Sequence, residues 1–249
     1  MKVLITGASS GIGRDLAREF AKLKYDLVLV ARNEEKLNKV REELQNYVNV
    51  NIIVADLQKT ENCKMIYEKE KDIDILINNA GFGVFGEFID TDLEKEISLI
   101  NTNITAVHIL TKLYLKEMTK RNSGTILNVS SIAGSMPGPL MCAYYASKAY
   151  VLRLSEGIRE ELKKQKSKVQ ISVLEPGPVD TNFNNVADVK INLKSLSSEY
   201  VAKYTIKKLL KGKFAIVPGI HIKFLRFFAK IIPNNLMTKL VYKTQERKR

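Results

Sequence analysis

The run Thr6-Gly7-Ala8-Ser9-Ser10-Gly11-Ile12-Gly13 joins a short apolar segment, Lys2–Thr6, to a helical pattern over Gly11–Lys24. In that pattern Ile12, Leu16, Phe20 and Leu23 fall on one stripe. A strand turning sharply into a helix gives each glycine a physical task. Gly7 permits the tight turn, Gly11 lets an anionic group reach the backbone, and Gly13 lets the helix pack closely on a sheet. The helix N-terminus then offers free N–H groups and a partial positive charge. Gly7, Ser9, Ser10, Gly11, Ile12 and Gly13 are therefore candidate cofactor contacts, placed to cradle a diphosphate. The spacing is G-x-x-x-G-x-G, not the G-x-G-x-x-G of most dinucleotide fingerprints. A purely structural turn is the alternative reading.

Outward from this loop, short β-rich runs alternate with longer helical patterns. Asp26–Ala31, Val50–Ala55, Ile73–Ile77, Thr125–Val129, Val169–Leu174 and Phe214–Val217 read as further strands. Asn33 suits an N-cap for a helix to about Gln45, with Glu34 and Glu35 in its first turn. Helical patterns also cover Thr91–Arg121, Ala143–Lys164 and Ser198–Leu210. Such alternation predicts an α/β fold, a Rossmann-type doubly wound parallel sheet of about seven strands with helices on both faces. No repeat or linker divides the chain. One domain over 1–217 is expected, with a basic amphipathic helical extension over 218–249.

The chain has 249 residues, 45% apolar and 27% charged, which excludes a disordered or collagen-like protein. Two cysteines, Cys63 and Cys142, allow no disulfide framework and suggest a reducing, cytoplasmic setting. His108 and His221 stand far apart and far from both cysteines, so no metal site is expected. The net charge of +13 sits entirely in the last quarter: residues 190–249 carry 15 Lys and Arg against only Glu199 and Glu246. Lys223, Arg226 and Lys230 map to one helical face there, and Phe224, Phe227, Phe228 and Ile231 to another. A segment of this kind lies in a membrane interface, caps the pocket or packs on a second subunit. Phe214 to Ile232 is too interrupted by Pro218, Gly219, Lys223, Arg226 and Lys230 to span a bilayer. No recognised binding module accompanies the charge, so nucleic acid is not expected as a partner.

The second strand ends Val30-Ala31-Arg32-Asn33. A carboxylate there would hold a ribose 2′-hydroxyl, whereas Arg32 suits a 2′-phosphate and predicts NADP(H) over NAD(H). Arg32 lying over the adenine face is the alternative. Further along, Tyr144 and Lys148 stand four apart on one helix face. A nearby ammonium favours a phenolate, so Tyr144 is expected to have a lowered pKa and to serve as a proton donor. Tyr145 has Ala149 at the corresponding place and does not fit. Ser131, just past the fifth strand, is placed to polarise a carbonyl oxygen. Asn103 is a poor helix former in the middle of a helical pattern.

Taken together, Thr6-Gly7-x3-Gly11-x-Gly13, Asn78-Asn79-Ala80-Gly81, Asn103, Ser131, Tyr144-x3-Lys148 and Pro176-Gly177 resemble the short-chain dehydrogenase/reductase superfamily over about residues 1–217. The resemblance implies that Ser131 binds the substrate oxygen and that Tyr144 gives or takes the proton. It implies that Lys148 lowers the tyrosine pKa and holds the nicotinamide ribose, and that Asn103 anchors a water relay. It places Asp56 and Leu57 at the adenine, Asn79, Ala80 and Gly81 along the cofactor, and Pro176, Gly177, Val179 and Thr181 at the nicotinamide and diphosphate. Arg32 matches NADP-preferring members, while Ser10 departs from those with a second basic residue before the middle glycine. A homodimer or homotetramer is implied as well.

The expected activity is hydride transfer between NADP(H) and a carbonyl or secondary alcohol. Phe82-Gly83-Val84-Phe85, Met136–Met141 and Asp180–Leu193 are the expected pocket segments, and their apolar character suits an apolar substrate. A non-catalytic dinucleotide-binding sensor or scaffold is the alternative. An epimerase or dehydratase is disfavoured by loop spacing and chain length.

Overall fold

Strand β1 (Lys2–Thr6) pairs on both sides, with β2 (Asp26–Ala31) and β4 (Ile75–Asn78), and all its pairings are parallel. In the computed structural model, which describes residues 1–181 and 195–247, it sits near the middle of a seven-stranded parallel sheet. The strand order is β3-β2-β1-β4-β5-β6-β9, with β3 Val50–Val54, β5 Thr125–Val129, β6 Gln170–Leu174 and β9 Ala215–Ile216. A further pair, β7 (Val179–Asp180) and β8 (Leu196–Ser197), stands apart from the sheet.

Side-chain alternation explains why the sheet is covered twice. Val3 and Ile5 join one core with Leu16 and Phe20 of α1 (Gly11–Lys22), Leu37 of α2 (Glu34–Leu44) and Val201 of α7 (Ser198–Leu209). Leu4, pointing the other way, joins a second core with Ile66 of α3 (Thr60–Lys69), Tyr114 of α5 (Val107–Lys120) and Leu162 of α6 (Cys142–Lys164). The doubly wound α/β architecture follows directly. Because the order reverses between β1 and β4, a crevice opens beyond the carboxyl ends of these strands, where ligands bind in such sheets.

Two departures from the sequence reading matter. The single helix expected over Thr91–Arg121 is α4 (Leu93–Ile100), a π-helical turn over Asn101–Ala106, and then α5. Periodicity does not register such a turn, since one widened turn barely shifts the apolar stripe. Helix α3 has no counterpart in the sequence reading, because only Cys63 and Ile66 of its residues are buried.

The tail forms α8 (Ile220–Phe228) and α9 (Asn234–Glu246), and both pack on the body. Ile222 fills the space beside Gly177, where a Cβ would meet its Cδ1 at 2.3 Å. Arg226 Nε donates to Glu175 Oε2 at 2.9 Å, and Glu175 is fully buried. Arg226 thus leaves the solvent-facing basic stripe expected of it, because Glu175 would otherwise be an unpaired buried charge. Helix α9 buries Met237, Val241 and Gln245. Phe224, Phe227 and Ile231 remain about 60% exposed.

Candidate active site

A cavity of about 420 Å³ runs along the carboxyl ends of the strands. Gly7, Ser9, Ser10, Gly11 and Ile12 line its middle, while Arg32, Asp56 and Leu57 line one end. Asn79, Ala80 and Gly81 follow, and Ser131, Tyr144, Lys148, Pro176, Gly177, Val179 and Thr181 close the other end. Gly13 and Asn103 are not in the wall itself. Of the expected pocket segments, Phe82, Met141 and Thr181 reach the cavity; 182–193 lie outside the described residues.

The glycine loop is built as a cradle. Gly7 and Gly11 have φ of 65° and 53°, in the left-handed region that favours glycine. A Cβ on Gly13 would sit 2.3 Å from Gly7 O, so the close approach of α1 to β1 requires its absence. Ser10, the N-cap of α1, makes no side-chain cap, and the first turn holds no acidic residue. The leading N–H groups of α1 therefore face the cavity side without a side chain answering them, which fits a diphosphate. Thr6 ties this loop to β4: its Oγ1 accepts from Asn79 N at 3.0 Å and Ala80 N at 3.1 Å. Asn79 Nδ2 donates to Thr6 O at 3.0 Å and Gly7 O at 3.2 Å. Asn79 thus holds the loop in shape.

At the far end, Arg32, just before the N-cap Asn33, and Lys36, in the first turn of α2, both line the cavity. Two cations at one mouth form a site for a doubly charged anion. Lys36 carries no role in the sequence reading, because Arg32 lies before the helix and helical spacing does not link the two. Asp56 Oδ1 accepts from Gln58 N at 3.1 Å, closing a turn before α3.

Ser131, in extended conformation, caps a 3₁₀ turn over Ile132–Ser135. Its Oγ donates to Pro176 O at 3.3 Å and accepts from Ala133 N at 3.2 Å. The phenol of Tyr144 is hydrogen-bonded to Ser131. Lys148 Nζ lies 5.8 Å from the Tyr144 ring centroid and donates to Val129 O at 2.9 Å. The two side chains share one wall, but their ionisation differs from the sequence expectation. Burial pushes the Tyr144 pKa well above its usual value, only partly opposed by the Ser131 hydrogen bond. Burial also lowers Lys148 to about 8. Desolvation is the leading cause at both groups, which corrects the expected lowering at Tyr144.

Asn103 lies in the π-helical turn and is 1% exposed. Its Nδ2 donates to Phe82 O at 2.9 Å and Ser147 Oγ at 3.1 Å, and its Oδ1 accepts from Phe82 N at 3.1 Å. Its carboxamide is thus committed to fixing the 82 loop against α6. Ser147 Oγ in turn donates to Tyr144 O at 2.7 Å, and Ser130 Oγ to Lys148 O at 2.7 Å. These bonds fix the helical turn that carries Tyr144 and Lys148. Cys142 is exposed, and burial raises the Cys63 thiol to about 11, away from reactivity.

Residues 1–191 match the family model described as short chain dehydrogenase. The very-long-chain 3-oxoacyl-CoA reductase of Anas platyrhynchos is 34% identical over 256 residues, covering 98% of this chain and 80% of that protein. The NADP-dependent 3-hydroxy acid dehydrogenase of Schizosaccharomyces pombe is 33% identical over 232 residues, covering 86% and 89%. Among solved structures, a short-chain dehydrogenase from Sphingobium yanoikuyae in complex with NADPH superposes with a TM-score of 0.85 at 30% identity, covering 92% of this chain and 91% of that one.

Proposed function

The chain belongs to the short chain dehydrogenase family, oxidoreductases of CH–OH and C=O groups, and from that premise we propose an NADP(H)-dependent reductase of an apolar carbonyl compound. The observation that carries this reading is one continuous cavity wall. It begins at Arg32, passes the glycine cradle and ends at the hydrogen-bonded Ser131–Tyr144 pair beside Lys148.

Bound NADP(H) supplies the hydride, and the chain supplies position and a proton. Ser131 Oγ holds the substrate oxygen beside the Tyr144 phenol. Tyr144, protonated across the neutral range because burial raises its pKa, gives its proton to that oxygen. The ammonium of Lys148 stabilises the phenolate left behind. The protonated phenol is the form that reduction uses. Gly177 and Val179 would hold the nicotinamide end of the cofactor, and Asp56 and Leu57 its adenine end.

Nucleotide choice is assigned to Arg32 and Lys36, in keeping with the NADPH and NADP named for two of the similar proteins. Titration with NADPH and NADH, followed by nicotinamide fluorescence, tests this. Arg32→Ala is expected to weaken NADPH binding about 10–100-fold and leave NADH within about twofold. Equal losses for both would overturn the assignment, and no binding of either would overturn the enzyme reading.

Exposed Phe224, Phe227 and Ile231 beside a tail with all the excess positive charge favour peripheral contact with an anionic bilayer. No helix among the described residues is long and apolar enough to cross a membrane. Flotation with phosphatidylserine vesicles is the measurement. Phe224→Ser with Phe227→Ser should lower binding at least about tenfold, since each removes roughly 2 kcal/mol of apolar transfer. No binding to vesicles, with light scattering showing a dimer or tetramer that these substitutions dissociate, would make this face a subunit interface instead.

A further inference from the structure

Gln245 and Tyr145 are a hundred residues apart, yet Gln245 Nε2 lies 2.5 Å from Tyr145 Oη. Both line the cavity that contains Tyr144. Gln245 is 2% exposed, and its Oε1 has no hydrogen-bond partner among the described residues. Tyr145 stands beside Tyr144, ring centroids 6.1 Å apart, and both pack on Met141, as does Phe85. Its ring lies on Gly138, where a Cβ would meet Cγ at 1.9 Å. Packing alone therefore fixes the Tyr145 phenol.

A buried carboxamide answered at one end only is costly, and the apolar neighbours do not repay it. Anchoring α9 does not require it, since Met237 and Val241 bury on the same helix as ordinary apolar contacts. What a half-satisfied amide in a cavity wall offers is an acceptor for a ligand donor.

We propose that the Tyr145–Gln245 pair binds a second polar group of the substrate, a hydroxyl or amide N–H remote from the reacting carbonyl. Gln245 Oε1, closed to solvent in this conformation, accepts that hydrogen bond once the carboxamide turns toward the cavity. The substrate is then an apolar carbonyl compound with one such donor, not a plain hydrocarbon ketone. This rests on the reductase reading above and narrows its substrate class.

The test uses two series of methyl ketones, stepped through chain length and matched pairwise, one ending in a methyl group and one in a hydroxyl. At the best-fitting length the wild-type protein should favour the hydroxy-ketone about 10–100-fold in kcat/KM. Gln245→Met should abolish that preference and leave the plain ketones within about threefold, because size is kept and only the acceptor is lost. Unchanged NADPH binding and melting temperature confirm that the variant folds. Equal kcat/KM for both series at every length, or equal losses in both for Gln245→Met, would reduce the pair to a strut for α9. Absence of turnover with either series would strike the reductase reading. The pair is then read by binding, as the thermal shift of the NADPH-loaded protein with α,ω-diols against mono-alcohols. A larger shift with diols that Gln245→Met removes supports the site, and equal shifts overturn it.

Discussion

Tyr144→Phe is expected to lower kcat by about 10²–10⁴-fold, the usual worth of a positioned general acid, while NADPH affinity stays within about twofold. The substitution removes one oxygen. The hydroxyl it leaves behind is not orphaned: Ser131 Oγ keeps its bonds to Pro176 O and Ala133 N. The ring keeps its contacts with Tyr145 and Met141. Folding and nucleotide binding therefore have no reason to change, and the melting temperature should hold or rise slightly as a buried polar atom disappears. Steady-state reduction of ketones and fluorescence titration with NADPH separate the two effects. Turnover retained in the variant would remove Tyr144 from the chemistry. Undetectable turnover in the wild type, with tight NADPH binding, would favour the dinucleotide sensor.

Why some of this site is readable from sequence, and some not, follows from how each part is held. Gly7 and Gly11 are legible because their left-handed conformations favour glycine and a Cβ would crowd Ala80 and Thr181, and Gly13 because no Cβ fits beside Gly7 O. The Tyr144–Lys148 pair is legible because a helix places i and i+4 together. The alternation of Val3, Leu4 and Ile5 between two cores makes the doubly wound sheet equally plain. Ionisation is a different matter. Spacing gives the proximity of Lys148 to Tyr144 but not the depth at which they sit, and depth sets the direction of both shifts. Asn103 stands out as an odd helical residue, yet the π-helical turn that lets it clamp Phe82 is a hydrogen-bond register with no composition of its own. Gln245 is the extreme case. It meets Tyr145 only because α9 brings it to the cavity wall, and the pattern of α9 does not name its target.

Lys148→Met should make the nucleotide-free protein more stable at pH 7 while it lowers turnover by about 10²–10⁴-fold. Burial lowers Lys148 from 10.5 to about 8. Between those two values the unfolded chain holds a proton that the folded one has released, so stability rises with pH across this window. Below pH 8 the folded protein carries the full cost of a buried ammonium, at most about 3 kcal/mol by the size of the shift. The bond from Nζ to Val129 O returns roughly 1 kcal/mol of stability, which methionine forfeits, together with a share for leaving that carbonyl unanswered. The balance, about 1–2 kcal/mol, corresponds to a melting temperature roughly 3–6 °C higher for a chain of this size. At pH 10.5 most of that advantage should be gone, because the wild-type lysine is then neutral when folded. Thermal melts of both proteins across pH 7 to 10.5 would show the curves converging. A variant less stable than wild type at pH 7 would mean that the lysine holds the site together. Convergence, with activity lost, would mean that the fold bears an ammonium at a cost in stability, for the charge it places beside Tyr144.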